Sequence, residues 1–86
     1  MISTGQVNVG TAVALIHDCT KWARLTIQNN DNTKTLYLGG AAVTSSTGLA
    51  LLKQETLHIH LSPGEALYAV STDAGGHVVS YLVQAP

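Results

Sequence analysis

Four histidines, one cysteine and five carboxylates are the side chains of this sequence best suited to metal binding or acid–base work. His58 and His60 stand two apart in Thr56-Leu57-His58-Ile59-His60-Leu61. In an extended strand that spacing sends both rings out of one face. Two imidazoles can chelate, but a stable site wants a third and usually a fourth ligand. His17, His77, Cys19 and Glu55 are the candidates, and nothing in the sequence brings them to His58 and His60. The reading adopted is a solvent- or partner-facing histidine pair opposite a Leu-Ile-Leu core face, with no metal and no cofactor. Cys19 is unique, forms no intramolecular disulfide, and reads as a small buried hydrophobe.

Hydrolytic chemistry finds little support. His17 and Asp18 are neighbours, which a strand points apart. The sequence has no Gly-x-Ser-x-Gly elbow and no Gly-x-x-x-x-Gly-Lys phosphate loop. The carboxylates Asp18, Asp31, Glu55, Glu65 and Asp73 fall mostly in expected turns, bonding to backbone or facing water. The chain is therefore expected not to be an enzyme. Trp22, Tyr37, Tyr68 and Tyr81, with the Asn29–Asn32 loop, could give a sugar-stacking platform, but the aromatics alternate with core positions, and a place in the core or at an interface is the favoured reading.

The elements that position these residues are strands. In Trp22–Gln28, Ala23, Leu25 and Ile27 alternate with more polar neighbours, and Thr56–Leu61 and Lys34–Leu38 do the same. Further strands are expected at Gln6–Val9, Ala12–His17, Ala41–Thr44, Ala66–Ser71 and His77–Val83. Asn29–Asn32, Gly39-Gly40, Ser62-Pro63-Gly64-Glu65 and Asp73–Gly76 punctuate them. Proline followed by glycine is the order a type II turn wants. Thr47–Glu55 has helix formers, but its apolar residues are contiguous, so a short strand and turn is expected. Seven to nine short strands with turns about every ten residues imply an all-β, two-sheet antiparallel sandwich, Ig-like or jelly-roll-like. One domain spans residues 1–86, with 1–5 a flexible N-terminal segment.

The last two strands, Ala66–Val70 and Val78–Val83, read as a hairpin apolar on both faces. Such strands lie centrally or have their outer face covered. One reading makes them central, with Tyr68 and Tyr81 half-exposed. The other puts Tyr68, Val70, Val79, Tyr81 and Val83 against a neighbouring subunit, since aromatic residues are enriched at such contacts.

Composition narrows the partners. The chain is 45% hydrophobic and 10% charged, with net charge −1. The usual charged share is about 25%, so part of the exterior is expected to be covered in an assembly. Lys21, Arg24, Lys34 and Lys53 are scattered, too thin a basic patch for nucleic acid or a membrane surface. Ala12–Ile16 and Gly48–Leu52 are too short to span a bilayer. No signal peptide is apparent, so synthesis and folding are expected in a cytoplasm.

The run Arg24–Asn30, then Leu36-Tyr37-Leu38-Gly39-Gly40, Val43–Gly48, Leu61–Val70 and the closing Val78–Val83 resembles small virion proteins of tailed bacteriophages, the head decoration or minor capsid proteins. The likeness covers about residues 5–84. It implies a non-enzymatic structural protein, made in the host cytoplasm, that binds the major capsid protein on the outside of an icosahedral head. It also implies self-association, as a homo-oligomer and most simply a trimer. Similar modules occur in phage fibres, so a carbohydrate- or receptor-binding module of an appendage is the alternative. The pattern often places a proline-glycine turn before the Thr56–Leu61 strand; here Lys53-Gln54-Glu55 stands there.

Overall fold

A computed structural model describes residues 1–30, 34–72 and 75–86, with His77 as backbone only. The described residues form eight strands and no helix: β1 (Ile2–Val9), β2 (Ala14–Asp18), β3 (Ala23–Asn29), β4 (Leu36–Gly39), β5 (Leu49–Leu51), β6 (Thr56–Leu61), β7 (Ala66–Ser71) and β8 (His77–Gln84). They make two four-stranded antiparallel sheets, ordered β1-β8-β3-β6 and β2-β7-β4-β5. The expected two-sheet sandwich is the fold.

The pairing has a simple logic. β1 pairs with β8, β2 with β7, β3 with β6 and β4 with β5, as though the chain were one long antiparallel ribbon. Rolling that ribbon up brings β8 beside β3 and β7 beside β4. This is the jelly roll, in which both Greek keys share one core. Every connection except β4–β5 passes from one sheet to the other.

Period-two alternation decides what lies between the sheets. Ala23, Leu25 and Ile27 of β3, Leu36 and Leu38 of β4, Leu67 and Ala69 of β7, and Val79 and Val83 of β8 all enter one cluster, joined by Val9, Ile16, Leu51 and Leu61. β7 and β8 are the central strands expected of segments apolar on both faces. They are not a hairpin, because β7 pairs with β2 and β4 while β8 pairs with β1 and β3.

Two expectations about elements change, and a third holds. Ala41–Thr44 is not a strand but part of the turn-rich β4–β5 connection, held by Val43 N–H donating to Gly40 O at 3.0 Å and Gly48 N–H donating to Thr44 O at 2.9 Å. Residues 2–5, expected to be flexible, are the first half of β1, with Ile2 opposite Gln84 and Gly5 opposite Tyr81. Thr47–Glu55 forms the short strand β5 and a turn, as its contiguous apolar residues imply. The turns at Asn29–Asn32 and Asp73–Gly76 lie partly outside the described residues.

Two turns are built alike. In Ser62-Pro63-Gly64-Glu65, Glu65 N–H donates to Ser62 O at 3.1 Å and Gly64 takes φ +82°, as a type II turn requires. In Leu52-Lys53-Gln54-Glu55, Glu55 N–H donates to Leu52 O at 3.1 Å and Gln54 takes φ +56°. In both, the glutamate carboxylate accepts the N–H of the first turn residue: Ser62 to Glu65 Oε1 at 2.6 Å and Leu52 to Glu55 Oε1 at 2.7 Å. Gln54 thus stands where a glycine would be unstrained. Gly64→Ala should cost about 1 kcal/mol, because nothing crowds the added methyl and only the backbone objects. Gln54→Gly should return up to about 1 kcal/mol by relieving the same strain. Urea unfolding of the pair tests this, and equal effects of one sign would contradict it.

Candidate functional site

The residues best suited to chemistry do not converge. His58 Nδ1 lies 3.0 Å from Thr26 Oγ1 across the β3–β6 pair, and His60 is stacked on Trp22 with ring centroids 6.1 Å apart. His17 is on β2, its ring 6.3 Å from that of Tyr81. The His77 side chain lies outside the described residues. No group of three or more histidine, cysteine or carboxylate side chains gathers among the described residues. Glu55 and Glu65 cap their turns, while Asp31 and Asp73 fall outside the described residues. Cys19 is half-buried rather than buried. Its thiol faces the carbonyl oxygens of Ser62 at 3.4 Å and Glu65 at 3.6 Å, and its backbone ties the 62–65 turn to the β2–β3 connection.

What the fold does offer is two broad outer faces of opposite character. On the β1-β8-β3-β6 sheet, strand register lays the outward side chains in rows. Gln6, Ser80, Gln28 and Thr56 form one row; Thr4, Leu82, Thr26 and His58 the next; Ile2, Gln84, Arg24 and His60 a third. Among the described side chains of these four strands, Arg24 alone carries a formal charge. Ser80 Oγ accepts from Asn30 Nδ2 at 2.6 Å and Gln6 Nε2 at 3.4 Å. The short central Ser80 between the longer Gln6 and Gln28 leaves a shallow depression of about 570 Å³. A second, of about 340 Å³, adjoins it over Arg24, Thr26, His58, His60 and Gln84.

The outer face of the β2-β7-β4-β5 sheet is apolar. Leu15 lies opposite Tyr68, Tyr68 opposite Gly39, and Tyr37 between Val70 and Ala50. The β4–β5 connection folds onto part of this face: Val43 packs over Gly39, and Gly48 lies against Tyr37 Cβ. Leu15 remains 44% exposed and Val13 41%, with Leu49 and Leu52 exposed near the β5 edge.

No family profile, curated protein or solved structure matches the chain. The two faces are therefore read from their own chemistry.

The five residues expected at an interface separate. Val79 and Val83 point between the sheets and are fully buried in this chain's own core, so they present nothing to a partner. Their parity in β8 puts them there, on the side that faces the second sheet, while Ser80 and Leu82 take the outer side. Val70 is also buried, beside Tyr37 and outside the main core cluster. Tyr81 is half-buried against the core, its hydroxyl lying over Gly5, where any Cβ would collide with it. Tyr68 alone of the five is half-exposed on an outer face. The aromatics are likewise dispersed: Trp22 is exposed beside His60, Tyr37 and Tyr68 lie on the apolar face, and Tyr81 turns inward. They form no common stacking platform. Sequence reading missed Gln6, Gln28 and Ser80 as a set. The polar alternation of β1 and β3 was visible, but β8 places Ser80 between them only through pairings that span nearly the whole chain.

Proposed function

We propose that this chain is a non-enzymatic virion structural protein that binds the outside of an assembled phage head, associates with copies of itself there, and stabilises the shell. The observation that carries this reading is the apolar outer face on which Leu15 is exposed and Tyr37 and Tyr68 are half-exposed, on a chain with few charges. Water-exposed apolar area of that kind marks a protein contact in a small domain. The resemblance to head decoration proteins supplies the partner, the major capsid protein. The jelly roll is used by viral capsid subunits and lectins alike, and so agrees with the reading without deciding it. A protein that recognises only the assembled surface stabilises it by mass action, in proportion to how far its free concentration exceeds the dissociation constant.

The test uses heads of the encoding phage made without this gene. The purified chain should co-sediment with them saturably and raise the temperature at which they disrupt. Leu15→Asp should reduce binding at least tenfold while leaving the unfolding transition within about 0.5 kcal/mol, as surface substitutions do. Heads that sediment free of the protein would refute the role. Undiminished binding by Leu15→Asp would place the contact elsewhere.

A further inference from the structure

The opposite face has a chemistry that a protein contact does not explain. Protein interfaces are enriched in aromatic side chains, methionine and arginine at their centres. The centre of the β1-β8-β3-β6 face holds Gln6, Ser80, Gln28, Thr26 and Thr56 around Leu82, with Tyr81 at its side and Val78 exposed in the row beyond Ser80. It lacks carboxylates among the described side chains of these strands, so it offers little to a divalent cation or a basic peptide, and its one formal charge, Arg24, lies a row away from the deeper depression. Gln6 and Asn30 both give their amide N–H groups to Ser80 Oγ. Their amide oxygens are left as acceptors, and the Ser80 hydroxyl proton is left to be donated. Gln28, next to Ser80 in the row, adds a planar donor–acceptor pair of the kind that matches two adjacent hydroxyl groups.

From this arrangement we propose that the outer face of the β1-β8-β3-β6 sheet is a binding site for a neutral oligosaccharide. Gln6, Gln28 and Ser80 bond its hydroxyls, Leu82 supplies an apolar floor for a sugar C–H face, and the Trp22–His60 stack borders the extended end. The depression of about 570 Å³ is large enough for two or three sugar rings and shares Thr26 with the second one over Arg24 and His60. Because the site is open and shallow, a single engagement is weak. Copies held side by side on a shell would bind by avidity. The inference goes beyond the shell-binding role and uses the other side of the molecule, so either can fail alone.

The experiment is a titration of the ¹⁵N-labelled full chain with maltohexaose, cellohexaose, chitohexaose, mannohexaose and xylohexaose, followed by amide and side-chain NH₂ shifts. At least one of these should give saturable shifts confined to Gln6, Thr26, Gln28, Thr56, Ser80 and Leu82. Gln28→Ala and Gln6→Ala, both at exposed positions, should weaken that titration at least fivefold while the rest of the spectrum stays in place. Leu15→Asp, on the opposite sheet, should leave it unchanged. The absence of saturable shifts with all five sugars at millimolar concentration would overturn the proposal. So would shifts centred on Leu15 and Tyr68, or a response indifferent to both glutamine substitutions.

Discussion

Replacing Asn29 with aspartate should strip about 3–5 kcal/mol of stability from the protein at neutral pH and give much of it back as the solution is acidified. Asn29 ends β3 with its side chain turned into the interior, where it is fully buried. Its Nδ2 donates to Lys34 O at 2.9 Å, Leu51 O at 3.1 Å and Leu52 O at 3.3 Å, so one amide holds β3 of the first sheet to the β5 end and the approach to β4 in the second. Asn29→Asp keeps the shape but exchanges the donor for an anion facing three carbonyl oxygens. Breaking such a buried arrangement costs about 3–5 kcal/mol. Stability of about 0.05–0.15 kcal/mol per residue gives a chain of this size only about 4–13 kcal/mol in total. The sign of the pH effect follows from which form the fold tolerates. The protonated carboxyl regains a donor and carries no charge, so its folded pKa lies above its unfolded value near ~3.9. The penalty is therefore complete above the folded pKa, shrinks as pH falls through it, and is gone below the unfolded pKa. Urea unfolding at neutral pH and at about pH 4 measures this. Asn29→Ala should lose about 3 kcal/mol with no extra recovery in acid. Parental stability of Asn29→Asp at neutral pH would mean that the clamp is not where the structure places it.

The asparagine also shows where sequence reading stops. Asn29-Asn30-Asp31-Asn32 is a turn signal by composition, and Asn29 does end a strand. Nothing local says that its side chain turns inward, because two of the three carbonyls that need it come from residues 22 and 23 positions later. The strands themselves were legible because alternation is local. Thr56–Leu61 and Ala66–Ser71 have the bounds their patterns imply, and Pro63-Gly64 forms the turn its order requires. Pairing was not legible. Val79 and Val83 read as surplus apolar surface only while β7 and β8 are taken for a hairpin. Once the ribbon is rolled, each becomes a central strand of a different sheet and the surplus vanishes. The β4–β5 connection misled differently, since Ala41–Val43 is apolar because Val43 covers Gly39, not because it is extended.

The same rolling-up divides labour between the faces. Crossings between sheets bury one side of each strand, and what remains on the outside depends on parity alone. In β3 and β1 parity leaves Thr26, Gln28, Thr4 and Gln6 outside; in β7 and β4 it leaves Tyr68 and Tyr37. Shifting any of these strands by one residue would exchange core and surface completely. The contrast between a polar and an apolar face is thus fixed by the register that makes the core, and neither face can be altered wholesale without the other.

Ile27→Ala should be the most damaging of the simple truncations. Ile27 is fully buried, lies opposite Tyr81 of β8 on one side and Leu57 of β6 on the other, and belongs to the strand that alone joins β6 to the rest of its sheet. Removing a buried isoleucine side chain to alanine costs about 2–5 kcal/mol, and a site packed from both neighbouring strands and the facing sheet cannot collapse to fill the gap. At about 4–8 °C per kcal/mol for a domain of this size, the melting temperature should fall by about 8–40 °C. Thr26→Ala, one residue earlier on the outer face, should stay within about 1 kcal/mol, its loss being the bond to His58. Because every connection but β4–β5 crosses between the sheets and side chains of both sheets share one core, loss of packing at β3 is felt by the whole jelly roll. The weakened variant should therefore unfold in one transition, with near- and far-ultraviolet circular dichroism coincident. Two separated transitions would show that the sheets stand independently, and a loss below 1 kcal/mol would remove Ile27 from the centre of the core.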